Sequence, residues 1–386
     1  MSCPSGFPPA EFARRAAALQ SGMATAEIDA LLLTTPADIA YASGFTTRFW
    51  ESPTRPWFLI LPAQAAPIAV IPAIGAALMA HTWVEDIRTW DAPAPEDDGV
   101  SLLAATLREA MPANGRLGVP LGHETHLRMP WSDFDRLRAE IAPRAVVDAT
   151  PAVRRAREVK SAAEVERVRA ACAAAGAAFD RVPEFAATGR PLDAVFRDFQ
   201  RACLEEGADW VSYLAGGAGP GGYADVISPA ASRPLQTGDV LMLDTGAVRA
   251  GYFCDYDRNY AVRRAEDDVR RAYDVLFAAT EAGIEAARPG ARACDVHAAI
   301  AAVIAAAGYD PGAGRLGHGL GLQLTEPPSL LPADRTPLRD GMVLTIEPGL
   351  QVSPGRLMVH EENIVLRAGG AEMLSPRAPA SLPTLE

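Results

Sequence analysis

Five residues are placed to do chemistry: Asp244 and Asp255 in LDTGAVRAGYFCD, His318 in GHGLG, Glu347 in TIEPG and Glu361 in VHEEN. Four carboxylates and one imidazole, each near a Gly, Pro or small residue, suggest a site for two divalent metal ions. Two such ions carry four positive charges, so four ionised carboxylates can be buried beside them without a large uncompensated charge. Oxygen ligands with a single nitrogen suit Mn, Fe, Co or Zn, and the absence of clustered cysteines argues against a structural zinc site. The chemistry expected there is the activation of water.

The pattern resembles the pita-bread metallohydrolases, the family of Xaa-Pro aminopeptidases, prolidases, methionine aminopeptidases and the metal-free creatinases. In that family the two aspartates lie eleven residues apart within D-x-G and G-Y-x-x-D, as Asp244 and Asp255 do here (255 − 244 = 11). The later members sit in GHG, in M-V-x-T-x-E-P-G and in E-(D/E)-x-(V/I), matched by His318, by Met342 to Gly349 and by Glu361 to Ile364. The resemblance is strong over roughly residues 150 to 370 and weak before them. It implies hydrolysis of peptide or amide C–N bonds in the manner of an Xaa-Pro dipeptidase or aminopeptidase. Glu347 would then shuttle a proton between water and the leaving nitrogen as well as hold metal.

The departures from the family pattern concern the substrate. Peptidases of the family carry a second histidine seven residues after the first, where this chain has Thr325, and another about seventeen residues before the first aspartate, near Ile227, Ser228 and Pro229. Thr325 or Gln323 can donate a hydrogen bond in place of the missing imidazole, but neither can serve as a cation near pH 7. A metal-dependent lyase acting on a small zwitterion such as dimethylsulfoniopropionate, or a non-peptide amidohydrolase, is therefore the alternative reading. Retention of all five residues disfavours a metal-free mechanism and a silent binding module. In RFWESPTRPWF, Trp50 and Arg55 are candidate substrate-binding residues, since N-terminal loops of creatinase-like relatives reach the partner subunit's site; packing is the competing role. The resemblance also implies a homodimer.

The elements that must position these residues follow from local patterns. VLMLDTG and GYFCDYDRNYAV read as two strands of a hairpin folded about a point between Arg249 and Ala250, which sets Asp244 opposite Asp255. Asp257, two residues beyond Asp255, is a reserve ligand or a structural partner of Arg258 or another base, and His360, on the opposite strand face, either supports the ligands from behind or packs. Helices are expected near 10–22, 131–141, 192–206, 266–287 and 293–307, and Ser161 with Glu164 forms a capping box. The runs PWFLILP, PIAVIPA and RLGVPLG read as strands, and AEIDALLLTTPADIAYASGF as an apolar run ending in turn signals. The fold class is α+β: a smaller α/β creatinase-like N-terminal domain over residues 1–150, then a pita-bread catalytic domain over 151–386.

Composition narrows the partners. A net charge of −12 over 386 residues disfavours nucleic acid and anionic membranes, leaving a small molecule or short peptide as substrate. The apolar stretch from Pro56 to Ala80 is broken by prolines and is no membrane-spanning helix. Cys3, Cys172, Cys203, Cys254 and Cys294 are odd in number and far apart, which reads as reduced thiols in a cytoplasmic protein. The start of the chain has no secretory pattern.

Overall fold

The structure is a computed structural model that describes residues 6–52, 55–312 and 314–386, so that Cys3 lies outside the described residues. The chain forms two compact units, Met1–Arg157 and Glu158–Glu386.

The first unit is a mixed six-stranded sheet of β1 (Ala30–Leu33), β2 (Phe58–Pro62), β3 (Ile68–Pro72), β4 (Asp86–Trp90), β5 (Arg116–Val119) and β6 (Ala145–Asp148). The spatial order is β4-β3-β2-β1-β5-β6, with β1–β2 and β2–β3 antiparallel and the other neighbours parallel. Leu32, Phe58, Ile60 and Val70 of the sheet pack with Leu103 and Leu107 of the helix Val100–Ala110 and with Phe134 and Leu137 of the helix Trp131–Glu140. Within AEIDALLLTTPADIAYASGF, the residues after the apolar run form a helix, Pro36–Ser43. Thr35 caps it by accepting from the Asp38 N–H, Pro36 occupies the first turn, and Gly44 at φ 79° ends it. The helix Thr150–Glu158 is held to this unit by a 2.6 Å Arg157–Asp38 ion pair and by the Tyr41 hydroxyl, which donates to the Ala156 carbonyl.

The second unit begins at the expected capping box: Ser161 accepts from the Glu164 N–H, the Glu164 carboxylate accepts from the Ser161 N–H, and the helix Ala162–Asp180 follows. Its described strands form two five-stranded sheets and one two-stranded sheet, antiparallel except where the strand Thr384–Leu385 joins the strand Tyr256–Val262 in parallel. The first joins β7 (Trp210–Pro220), β8 (Asp239–Arg249), β9 (Tyr252–Phe253), β10 (Tyr256–Val262) and β18 (Thr384–Leu385) in the order β18-β10-β8-β7, with β9 also on β8. The second runs β12 (Glu326–Ser329), β11 (His318–Gly319), β13 (Val343–Ile346), β16 (Glu362–Arg367), β17 (Gly370–Met373), and β14 (Gly349–Ser353) pairs with β15 (Arg356–Val359). The helices Ala162–Asp180 and Leu192–Glu205 pack on the first sheet. The helices Asp267–Ala286 and Ala293–Ala306 pack on each other, and the former also on β13 and β14. A core of Val240, Met242, Leu276, Ile300, Leu344 and Ile364 joins these layers. Gly283 permits the closest approach: a Cβ there would lie 2.7 Å from Ile346 and 2.8 Å from Ile300.

Cys172, Cys203, Cys254 and Cys294 are free and buried. Among the described residues, no helix is long and apolar enough to cross a membrane.

Candidate metal centre

The hairpin that carries the two aspartates turns at Ala250 and Gly251, whose φ values are 50° and 84°. Positive φ at both central residues is the geometry of a two-residue turn whose twist suits the flanking strands, and Gly251 makes it inexpensive. Asp209 supports the turn by accepting from the Ala250 N–H. The turn centre therefore lies one residue later than the alternation suggested, and the register moves by two. Val248 pairs with Phe253, and Asp244 faces Asp257 instead of Asp255.

Asp255 sits in a break between β9 and β10, where a side chain replaces the ladder. The Asn363 amide accepts from the Asp255 N–H at 2.9 Å and donates to the Asp255 carbonyl. A strand some hundred residues further along the chain thus fixes the backbone of this aspartate.

His318 opens β11, and its N–H donates to Thr345 Oγ1 at 3.1 Å. The flanking glycines exist for close backbone approach: a Cβ on Gly317, at φ 132°, would lie 2.3 Å from the Thr345 carbonyl oxygen, and one on Gly319 would lie 2.3 Å from that of Pro327. The imidazole Nδ1 lies 2.8 Å from the Gly319 carbonyl, an acceptor, so Nδ1 carries the proton. The lone pair on Nε2 is left facing Asp255 Oδ2 at 3.4 Å and Glu347 Oε2 at 4.0 Å.

Glu347 follows β13 and donates its N–H to the Leu316 carbonyl. Glu361 precedes β16, and its N–H donates to Asp257 Oδ1 at 2.8 Å. Ligand atoms of Asp255, His318 and Glu361 all lie within 4.8 Å of one another.

The electrostatics are those of like charges forced together. Burial pushes the Asp244 carboxyl up to about 7, opposed by a hydrogen bond with Tyr213. Burial and the Asp244 charge push Glu347 up to about 8. Asp255 and Glu361 are raised well above the carboxylate range by burial and then by their acidic neighbours. Asp244 Oδ1 and Glu361 Oε1 are buried without any hydrogen-bond partner. Unpartnered buried carboxylate oxygens are costly, and a bound cation is what satisfies them. The donor set fits divalent metal.

Asp257, the reserve ligand, is differently placed. Its Oδ1 accepts from Glu361 N–H and its Oδ2 from the Asn259 amide at 3.3 Å, while Arg258 donates to its backbone carbonyl rather than to its carboxylate. Asp257 therefore braces Glu361. His360 packs as expected, with Nδ1 at 2.9 Å from Thr280 Oγ1 and its ring edge-on to Tyr273 and Phe277. Thr325 is half-buried at the end of the loop that joins β11 to β12.

Trp50 and Arg55 belong to the first unit. Trp50 packs against Phe45 and Trp57 beneath the Arg128 guanidinium, and Arg55 lies over the Phe49 ring at 5.1 Å. Four further residues support the site: Tyr213 beside Asp244 and Asn363 on Asp255, which no motif singles out, Thr345 on His318, which occupies the T of the M-V-x-T-x-E-P-G pattern, and Arg258, which donates to the Glu361 carbonyl. Arg258 follows a run of acids in DYDR and Glu362 doubles Glu361, which together could have suggested a charge partner behind the site.

Two five-stranded, largely antiparallel sheets with long helices packed on them and a carboxylate-rich cluster with one imidazole define a pita-bread metallohydrolase. The chain belongs to metallopeptidase family M24: residues 166–367 match that family, and residues 15–159 match the creatinase/prolidase N-terminal domain. It is a metal-dependent peptide hydrolase of that family, whose metallopeptidases use divalent metals. It is similar to the probable dipeptidase PepE of Mycobacterium tuberculosis, with 33% identity over 359 residues, 92% of each chain. The crystal structure of dipeptidase PepE from Mycobacterium ulcerans superposes with a TM-score of 0.84 at 32% identity, covering 98% of this chain and 99% of that one. Recombinant prolidase from Thermococcus sibiricus superposes with a TM-score of 0.86 at 25% identity, covering 97% of this chain and 99% of that one.

Proposed function

We propose that the chain is a dipeptidase of Xaa-Pro type that works with two divalent ions, Mn, Co, Fe or Zn, held by Asp244, Asp255, His318, Glu347 and Glu361. The observation that carries this reading is the pair of buried carboxylate oxygens, Asp244 Oδ1 and Glu361 Oε1, left without donors in a cluster of like charge. Ions bound there lower the pKa of water, polarise the scissile carbonyl and neutralise the carboxylates. The protein's own contribution is orientation and proton movement.

His318 is held in one tautomer by its Nδ1–H bond to the Gly319 carbonyl, and Asp255 is held by Asn363. Glu347 is the acid whose side chain keeps 30% exposure, against 7% for Asp255, so its carboxylate can meet both water and substrate. It takes the proton from the attacking water and returns it to the leaving nitrogen, which departs as an amine. Thr325 offers a hydroxyl to the substrate where relatives in the resemblance carry an imidazole. In a homodimer, Trp50 and Arg55 would line the pocket of the neighbouring subunit rather than that of their own chain. A homodimer, and a cytoplasmic enzyme acting on short peptides, complete the reading.

The test is a panel of Xaa-Pro and other dipeptides offered to protein loaded with each metal, with products identified by mass. A new amine and carboxylate are expected; an alkene product identifies elimination and overturns hydrolysis. Metal analysis of Asp255→Ala and Glu361→Ala should show reduced occupancy. Full metal content and full activity in either variant refutes the ligand assignment.

A further inference from the structure

Outside the ligand cluster, the second unit buries one lysine. Lys160 stands immediately before the capping box, and its ammonium lies 3.1 Å from Glu326 Oε2, with side-chain exposures of 2% and 4%. Desolvating two charges is expensive, so such a pair needs a structural return to be retained. The other Glu326 oxygen accepts from the Gln323 N–H at 3.2 Å. Gln323 lies in the loop Leu320–Thr325, which leaves His318 and Gly319 at one end and reaches Thr325 at the other.

The loop touches the rest of the cluster as well. The Phe253 N–H, two residues before Asp255, donates to the Gly321 carbonyl at 2.9 Å. Leu324 reaches over β8, its Cδ1 2.5 Å from where a Cβ on Gly246 would be. Gly321 itself is pressed against the ion pair: a Cβ there would lie 3.0 Å from Lys160 Cε and 3.1 Å from both Glu326 oxygens. The pair, the loop and the two ligand-bearing segments are therefore one mechanical unit.

We propose that Lys160, acting through Glu326, is a positioning residue that holds the loop Leu320–Thr325 in the conformation that receives substrate. The role rests on the peptide-hydrolase reading of the site. Lys160 touches neither ligands nor reacting atoms. Without its ammonium, the buried Glu326 carboxylate loses its 3.1 Å ion-pair partner, which loosens its hold on the Gln323 N–H and with it the placement of Thr325.

Lys160→Met should raise KM about tenfold, with kcat changed less than about threefold, as expected when ground-state binding is lost. Metal content should stay at the wild-type level. Hydrogen exchange at the amides of residues 320–325 should quicken at least about tenfold, since those amides then open locally. The double variant Lys160→Met/Glu326→Met removes both buried charges. It should recover thermal stability while KM stays high, because the acceptor for Gln323 is still missing. Gly321→Ala wedges the pair apart while keeping both charges and should reproduce the KM and exchange effects. The proposal is overturned if KM returns to wild type together with stability in the double variant. It is also overturned if loop exchange is unchanged in both Lys160→Met and Gly321→Ala. If the wild-type protein cleaves no dipeptide, the hydrolase reading fails on its own, and the exchange measurement still decides the brace.

Discussion

Replacing Asn363 by Ala tests whether a single side chain holds Asp255 in the cluster. The amide accepts from the Asp255 N–H at 2.9 Å and donates to the Asp255 carbonyl, and Cys172 Sγ lies 3.3 Å from the same Oδ1. Asn363 is fully buried and Asp255 nearly so. The alanine leaves one buried N–H and one buried C=O without partners, at about 1–3 kcal/mol each, so the expected loss is about 2–6 kcal/mol. Against a total stability of roughly 5–15 kcal/mol, that is a large fraction. The expected readout is a lower urea midpoint of the metal-free protein, with an unchanged slope if the native fold is kept. In the loaded protein, a misplaced Asp255 should weaken metal binding about tenfold to a hundredfold, the usual effect of losing an outer hydrogen-bond partner. A variant that loses less than about 1 kcal/mol and binds metal as the wild type does would refute the argument that Asn363 substitutes for the strand ladder.

Further expectations concern the same scaffold. Thr345→Val removes the acceptor for the His318 N–H and should destabilise by about 1–3 kcal/mol in urea titration; an unchanged midpoint would mean that this contact is dispensable. Gly283→Ala puts a methyl 2.7 Å from Ile346 and 2.8 Å from Ile300, and overpacking should cost about 1–3 kcal/mol despite alanine's better helix propensity, read as a lower Tm. Chelated protein should lose stability as pH rises. Asp244 and Glu347 hold protons up to about 7 and about 8 when folded, whereas unfolded carboxylates release them near pH 4, so the folded state binds the extra protons between these limits. Added metal should therefore raise Tm more at pH 8 than at pH 5, and a chelated protein whose Tm climbs from pH 5 to pH 8 contradicts the clustering of these acids.

Much of this site is legible in the sequence because its residues need special neighbours. The glycines around His318 are required by carbonyl oxygens 2.3 Å from any Cβ, so GHG marks a close crossing of two strands. Ser161 and Glu164 announce their helix by a reciprocal local bond. What was not legible depends on conformation or on distant chain. Strand alternation specifies which face a residue takes, yet the hairpin centre depends on Ala250 accepting φ 50°, which alternation does not encode. Signals that punctuate a turn can equally start a helix, as Thr35 does as cap with Pro36 in the first turn. Asp255 is held by an amide 108 residues away, a contact no local pattern carries.

The six acids that the motifs gather, Asp244, Asp255, Asp257, Glu347, Glu361 and Glu362, differ in what their oxygens already do. Adjacent glutamates make the contrast plainest. Glu362 accepts from Arg258 at 3.1 Å, from Arg377 at 2.9 Å, from the Ala378 N–H at 2.8 Å and from Ser375, so its carboxylate is committed. Glu361, the preceding residue, points to the other side of the backbone and keeps Oε1 buried without a donor. Asp257 is committed to the Glu361 N–H and the Asn259 amide. Two of the six are thus committed to neighbouring donors, while Asp255 and Glu361 gather with His318 and the charges of Asp244 and Glu347 bear on them. Four carboxylates are the number that two divalent cations neutralise, and the separation of committed from uncommitted oxygens, rather than the count of acids, is what marks the centre. Changing Glu362 to Gln should accordingly cost stability through Arg258 and Arg377, whereas changing Glu361 to Gln should cost metal, and stability curves set beside metal titrations of the two variants distinguish these roles.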